Sequence, residues 1–236
     1  GHTSQFGVNG QGAEIDFAAV NDHVQGVVAG IAPHDSVERF SDLGVDVFQE
    51  GAKFTGPREV LGENGTRVRA RRFVVATGSS PAVPPIPGLD QVSYLTNETV
   101  FELRERPSHL IVVGGGPIGL EMAQAHRQLG SKVTVLEAFQ MMGPDDRDLV
   151  AVVRARLVAD GIDIHEDTKV VEVKSADGGV AVVCEHGDRN FEVAGSHILV
   201  AVGRSPNLAS LDLEAAGVTF DRRGIEVDAR LRTTNK

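Results

Sequence analysis

Leu110-Ile111-Val112-Val113 runs into Gly114-Gly115-Gly116-Pro117-Ile118-Gly119, a helical run carries on to Gly130, and Lys132-Val133-Thr134-Val135-Leu136 closes on Glu137. Strand, G-x-G-x-x-G turn, helix, strand and a terminal acidic residue follow the order of a dinucleotide-binding βαβ unit, a context far more specific than the glycines alone. Each glycine has its own task in such a unit. Gly114 permits the sharp turn, Gly116 lets a pyrophosphate approach the backbone, and Gly119 lets the helix sit against the sheet. Pro117 is tolerated because its missing N–H falls in the first helical turn. The N-terminus of the helix then offers free N–H groups and about half a positive charge to a diphosphate. Leu120, Ala123 and Ala125 are expected on the packed sides of this helix and Gly130 at its stop. The competing reading is a glycine-rich turn that binds nothing.

Glu137 stands 18 residues beyond Gly119. A carboxylate there accepts from both hydroxyls of an adenosine ribose and repels the extra phosphate of NADP. Two like charges about 4 Å apart cost about 1 to 4 kcal/mol between bulk water and a partly buried site, which is about tenfold to a thousandfold in affinity. No Lys or Arg follows until Arg147. The expectation is therefore NAD(H) over NADP(H), set against the alternative that Glu137 is a solvated strand end.

Composition limits the remaining choices. A length of 236 residues holds one large domain or two small ones. The 41% hydrophobic content supports a core, which must be aliphatic because Trp is absent and Tyr occurs once. A net charge of -10, from 23 basic and 33 acidic residues, does not suit nucleic-acid backbones or anionic membranes. No apolar run reaches the ~20 residues that span a bilayer, and no signal segment opens the chain, so a cytoplasmic location is expected. Cys184 is the single cysteine, which excludes an intrachain disulfide and a Cys zinc site. The eight His residues are scattered without metal-ligand spacing, and no metal is expected. The chain opens on Gly1-His2 rather than Met, which reads as an expression remnant or a piece of a longer protein.

An internal echo organises the rest. Phe73-Val74-Val75-Ala76-Thr77-Gly78-Ser79-Ser80-Pro81 is matched by Ile198-Leu199-Val200-Ala201-Val202-Gly203-Arg204-Ser205-Pro206, each expected as a buried strand running into a glycine turn. Upstream, Gly44-Val45-Asp46-Val47-Phe48 is matched by Gly161-Ile162-Asp163-Ile164-His165. A short antiparallel meander lies inside each copy. The first has strands near Lys53-Phe54, at Glu59-Val60-Leu61 and, past Asn64-Gly65, at Thr66-Arg67-Val68-Arg69. The second has Val170-Val171-Glu172-Val173, a turn at Asp177-Gly178-Gly179, Val180 to Cys184, and a turn at His186-Gly187-Asp188. Such repetition implies two related domains. Pro81, Pro84, Pro85, Pro87 and Gly88 read as a rigid join, and Thr96-Asn97-Glu98 precedes a short helical run to Leu103. At the start, Gly7, Gly10 and Gly12 lack a strand-to-helix context and read as loop residues. The stripe Phe17, Val20, Val24, Val27, Val28 and Ile31 reads as a helix that Asp16 caps. The first half thus looks truncated, with its own phosphate-binding turn upstream.

This arrangement resembles the class I pyridine nucleotide-disulfide oxidoreductases, the flavoproteins that include dihydrolipoamide dehydrogenase and mercuric reductase. The resemblance rests on Ala76-Thr77-Gly78-Ser79, Thr96-Asn97-Glu98-Thr99, Gly114 through Glu121, Glu137 and Val202-Gly203-Arg204-Ser205-Pro206-Asn207, and covers nearly the whole chain. It implies an α/β fold of two Rossmann-like dinucleotide-binding domains, each with a parallel sheet and a three-stranded antiparallel meander, the first truncated. The implied boundaries are 1–103 for the C-terminal part of an FAD-binding domain, 104–215 for an NAD-binding domain and 216–236 for a return segment to the FAD domain. It also implies NAD contacts from Gly114, Gly115, Gly116, Pro117, Ile118, Gly119, Leu120, Glu121, Glu137, Val170 and Gly203, with Glu121 near the nicotinamide. FAD contacts are implied for Ala52, Thr77, Gly78, Ser79 and Arg204.

The departures from the family pattern are equally specific. The C-x-x-x-x-C disulfide, the FAD phosphate turn, the later Gly-Asp segment, and the dimerisation domain with its catalytic His have no counterpart here. No catalytic residue is assigned in this chain, which alone is expected to be inactive. Cys184 lies in a strand and reads as a packed thiol, and His126 and His197 read as packing or capping residues. A carboxylate at Glu121 is also explained by the helix dipole, worth ~0.3 to 1 kcal/mol in a first turn, and Arg204 by solvation.

The leading reading is the NAD(H)-binding central part of an FAD-dependent, NADH-linked disulfide-type reductase whose parent is a homodimer. NAD preference leans toward dihydrolipoamide dehydrogenase, whereas Thr96-Asn97-Glu98-Thr99 and Pro117 lean toward mercuric-reductase-like proteins; lipoamide, mercuric ion and quinone all stay open as substrate. The competing readings are a flavin-free two-domain dehydrogenase, against which the duplicated Ala-x-Gly-x-Ser-Pro strand argues, and a non-catalytic module that senses NADH.

Overall fold

The computed structural model describes residues 14–235; Gly7, Gly10 and Gly12 lie outside them. In chain order the first elements are α1 (Phe17–Ile31), α2 (Val37–Asp42), β1 (Ala52–Gly56), β2 (Glu59–Gly62), β3 (Arg67–Arg69) and β4 (Ser79–Pro81). Next come β5 (His109–Val113), α3 (Pro117–Gln128), β6 (Lys132–Leu136), α4 (Arg147–Ala159) and β7 (Asp163–His165). The remainder are β8 (Lys169–Ala176), β9 (Gly179–His186), β10 (Arg189–Gly195), β11 (His197–Val200), β12 (Arg204–Pro206), β13 (Phe220–Asp221) and β14 (Gly224–Ile225). They form two compact units, one holding the described residues up to Ala29 with Pro81–Gly203, the other Gly30–Ser80 with the described residues from Arg204 onward.

The first unit is built on a parallel sheet with strand order β11-β5-β6-β7 among the described residues. Leu110, Ile111 and Val112 of the central strand are fully buried, because a parallel strand is covered on both faces and draws an unbroken aliphatic run. On one face Leu110, Val112, Val133 and Val135 meet Leu120 and Ala123 of α3 and Val150 and Leu157 of α4. On the other, Ile111, Val113, Ile198 and Val200 meet Val173, Val182 and Cys184 of the antiparallel sheet β10-β9-β8. Each such aliphatic side chain taken out of water contributes about 1.5–3 kcal/mol, and the sum fixes the strand ends that carry the site. Ala125, expected on a packed side, is exposed. The helical period instead turns Gly119, Leu120, Ala123 and His126 inward.

The proline segment expected as a join is stitched into this unit: Val173 N donates to the Pro87 carbonyl at 2.8 Å, and Leu89 is buried against the meander. Gly88, at φ +79, leaves no room for a Cβ, which would sit 2.0 Å from the Val173 carbonyl oxygen. The start of α1 also lies here. Asp16 caps it by accepting from Ala19 N at 3.0 Å, and the buried Asn21 donates to the Phe101 carbonyl at 2.7 Å while accepting from Arg104 at 3.2 Å. Val27, Val28 and Ile31, at the far end of the helix stripe, are exposed.

The second unit carries the expected first meander, order β1-β2-β3, with Lys53 opposite Leu61 and Phe54 opposite Val60. Phe54 packs edge-on against Phe73 and against Leu213, Ala216 and Val218. Two expected strands are absent. Residues 44–48 and 73–76 form no ladder, and Val74 is 91% exposed. An apolar run becomes a buried strand only where neighbouring strands pair its N–H and C=O groups, and no described residues of this unit lie beside these runs as strands. The later halves of the same echoes, β7 and β11, do pair, because β6 and β5 flank them.

Candidate nucleotide-binding site

At the C-terminal edge of the parallel sheet the chain turns from β5 into α3, and the glycines there differ in what they face. Gly114 has φ +114, and a Cβ on it would lie 2.4 Å from the Ala201 carbonyl oxygen. At Gly119 a Cβ would lie 2.1 Å from the Gly114 carbonyl oxygen, so only hydrogen there lets the helix close on the turn. Gly116, the N-cap of α3, has nothing within 4 Å of a Cβ position and opens onto a cleft. The first N–H groups of a helix have no intrahelical acceptor, and with Pro117 at N1 that of Ile118, which lines the cleft, remains for an anion.

The cleft has a volume of about 900 Å³. Gly114, Gly116, Pro117, Ile118, Glu137, Val170 and Gly203 line it together, so residues far apart in sequence meet at one edge of the sheet. Gly115, Gly119, Leu120 and Glu121 do not line it. Gly119 and Leu120 are buried under the turn, and Gly115 is engaged through its backbone. Glu121 is exposed and falls beyond the first turn of α3, where the dipole that would favour its carboxylate has faded.

Glu137 sits at the end of β6 and ties the site together. One carboxylate oxygen accepts from Gly115 N at 2.6 Å and the other from Phe139 N at 2.9 Å. Each carboxylate oxygen has a further lone pair, so two hydroxyls of a ligand can be accepted without breaking these bonds. Met142 N donates to the Gly115 carbonyl at 2.9 Å, which pins the loop after β6 onto the glycine turn. Among the described residues no Lys or Arg lines the cleft, whereas Asp145 joins Glu137 there. The sequence alone does not single out Phe139, Met142 or Thr168, which also line it; the signal for Phe139 is its place two residues past the acidic strand end.

Away from the cleft, Cys184 is buried in β9 and its burial pushes the thiol up to about 11. It is a packed core group. His126 is buried and shares a hydrogen bond with the Met122 carbonyl at 2.9 Å. Among the described residues no cluster of His, Cys, Asp and Glu has the makings of a metal site, and no helix is long and apolar enough to cross a membrane.

The model of one family, pyridine nucleotide-disulphide oxidoreductase, matches residues 13–236. This chain belongs to that family. Among curated relatives it is 33% identical over 97% of its length to the mercuric reductase of Streptomyces lividans, of which it covers 49%. It is 31% identical over 98% of its length to the dihydrolipoyl dehydrogenase of Bacillus subtilis, of which it covers 51%. Among solved structures, the HOCl-induced flavoprotein disulfide reductase RclA from Escherichia coli superposes with a TM-score of 0.83 at 29% identity, covering 94% of this chain and 51% of that one. The chain thus spans about half the length of these relatives. Family members bind FAD and NAD(P).

The residues that the family likeness assigns to FAD lie in the second unit and in part bond one another. The Arg204 guanidinium donates to the Ser79 hydroxyl at 2.8 Å and to the Ser79 carbonyl. Thr77 donates to the Asn207 carbonyl at 2.8 Å, the Asn207 amide returns a bond to the Thr77 carbonyl at 3.1 Å, and Asn207 N donates to the Gly78 carbonyl at 3.0 Å. Ala52 is exposed on β1. The Gly78 copy of the echo is thereby bonded to the segment that follows Gly203, in the two-stranded ladder of β4 and β12, whereas Gly203 itself lines the cleft.

Proposed function

We propose that the cleft at the end of β5 binds NAD(H), and that the chain is the nicotinamide-nucleotide half of an FAD-dependent disulfide-type oxidoreductase resembling dihydrolipoamide dehydrogenase. The observation that carries this reading is Glu137, whose carboxylate is fixed to Gly115 N at the mouth of a helix N-terminal turn. The residues fit the group. Gly116 offers the close approach a diphosphate needs, the N–H of Ile118 at the helix N-terminus receives its charge, and the free lone pairs of Glu137 receive the adenosine ribose. Val170 and Gly203 bound the remainder of the dinucleotide. When bound, NADH supplies a hydride from its reduced nicotinamide ring. The chain's own contribution is to hold, orient and partly dehydrate the nucleotide. Among its described residues the second unit supplies no second glycine cradle at a helix N-terminus, so no role in holding FAD phosphates is derived from it. FAD, a homodimer and a disulfide or metal-ion acceptor belong to the proposal for the whole protein.

The unphosphorylated nucleotide is favoured because Glu137 and Asp145 face the cleft without a compensating cation. Titration of the chain with NADH and NADPH is expected to give saturable NADH binding with NADPH weaker by about tenfold or more. Glu137→Arg is expected to weaken NADH and narrow that ratio. NADPH binding as tight as NADH contradicts the preference. A mercuric-reductase-like acceptor is the second reading, favoured by the 33% identity to the Streptomyces lividans enzyme; NADH oxidation by the full-length protein with lipoamide or with mercuric ion separates the two.

A further inference from the structure

Phe139 is a large apolar side chain left 76% exposed, yet it lines the nucleotide cleft. Its backbone is held on both sides. Phe139 N donates to Glu137 at 2.9 Å, and the Phe139 carbonyl accepts from Asp167 N at 2.8 Å. The ring is thus an exposed aromatic surface on a fixed mount, and its mount is the carboxylate that faces a ribose. A base attached to that ribose has to leave it close to this ring, and every base has a π-face that stacks on an aromatic side chain. Val170 and Val202 supply apolar walls to the same cleft, and none of its lining residues offers a cation to compete for the ring.

We propose that Phe139 is the platform on which the adenine base of the bound nucleotide stacks, a positioning residue that selects ligands by their adenosine half. This rests on the reading that the cleft binds NAD(H). Since the side chain is exposed and its fixed groups are backbone atoms, replacing it leaves the fold intact. The full chain is titrated calorimetrically with NADH, AMP and reduced nicotinamide mononucleotide, as wild type and as Phe139→Ala. The expected result is a loss of about tenfold for NADH and AMP with the mononucleotide unchanged. Because the sequence contains no Trp, Phe139→Trp installs a single reporter, expected to bind ADP-ribose at least as well as wild type and to lose fluorescence as it does. Wild-type chain that binds no NADH overturns both the NAD(H) reading and the platform. Wild-type NADH binding with Phe139→Ala unchanged, an equal loss for the mononucleotide, or unquenched Trp fluorescence at saturation overturns the platform alone.

Discussion

The three motif glycines look alike in sequence, and the structure gives them different reasons for lacking a side chain. Gly114 needs its positive φ, Gly119 needs contact with the backbone of the turn, and Gly116 needs nothing from the protein at all. Gly119→Ala is therefore expected to cost about 1–3 kcal/mol through overpacking, lowering the melting temperature by about 2–4 °C per kcal/mol for a chain of this size. A melting curve within 1 °C of wild type, on the order of experimental error, contradicts the packing role. The strand, turn and helix context in the sequence calls for a sharp turn at Gly114 and close helix packing at Gly119, and both are found. It also identifies Glu137 as the acidic strand end, but not that its oxygens already accept two backbone N–H groups, since that depends on how the loop after β6 folds back.

At the scale of elements, the parallel strands of the first unit were legible because both their faces are covered, so the aliphatic run needs no alternation. The same kind of run at 73–76 misleads, since a strand is a property of the ladder and not of the run. Helix α3 shows a subtler gap: its inward face is set by Gly119 and Leu120, which turns Ala125 outward and His126 inward. His126 is joined at the opposite edge of the sheet from the cleft by His109 and His197, which begin β5 and β11. Burial holds all three below the ordinary imidazole range, aided at His109 by Lys132 and at His126 by His197, while Asp163 and Glu105 act in the other direction at His109 and His197. The unfolded chain then takes up protons that the folded chain refuses, so these groups' contribution is complete above the unfolded value of about 6.5 and is lost as pH falls below it. Thermal melts between about pH 7.5 and 5 are expected to show stability falling with acidity, and His126→Leu to flatten the slope. A slope of opposite sign contradicts the burial of these rings as neutral groups.

At the scale of the molecule, the second unit gathers the β1-β2-β3 meander and residues after Arg204 around the Phe54 core, and the first is a three-layer unit around β5. The echo between Gly78 and Gly203 suggests two related halves in the sequence, but does not tell which runs find partners. The glycine turn of the first unit, open at Gly116, is where a ligand's pyrophosphate is expected to lie. Gly116→Ala separates ligand approach from folding, because the new methyl meets no protein atom within 4 Å and the backbone there, at φ -79, accepts any residue. The decisive measurement is a calorimetric NADH titration of wild type and Gly116→Ala, with their melting curves taken alongside. Expected are saturable binding by wild type and a loss of at least about tenfold in the variant at an unchanged melting temperature. Equal NADH affinity in the two proteins, or no binding by wild type at millimolar nucleotide, contradicts that placement of the pyrophosphate.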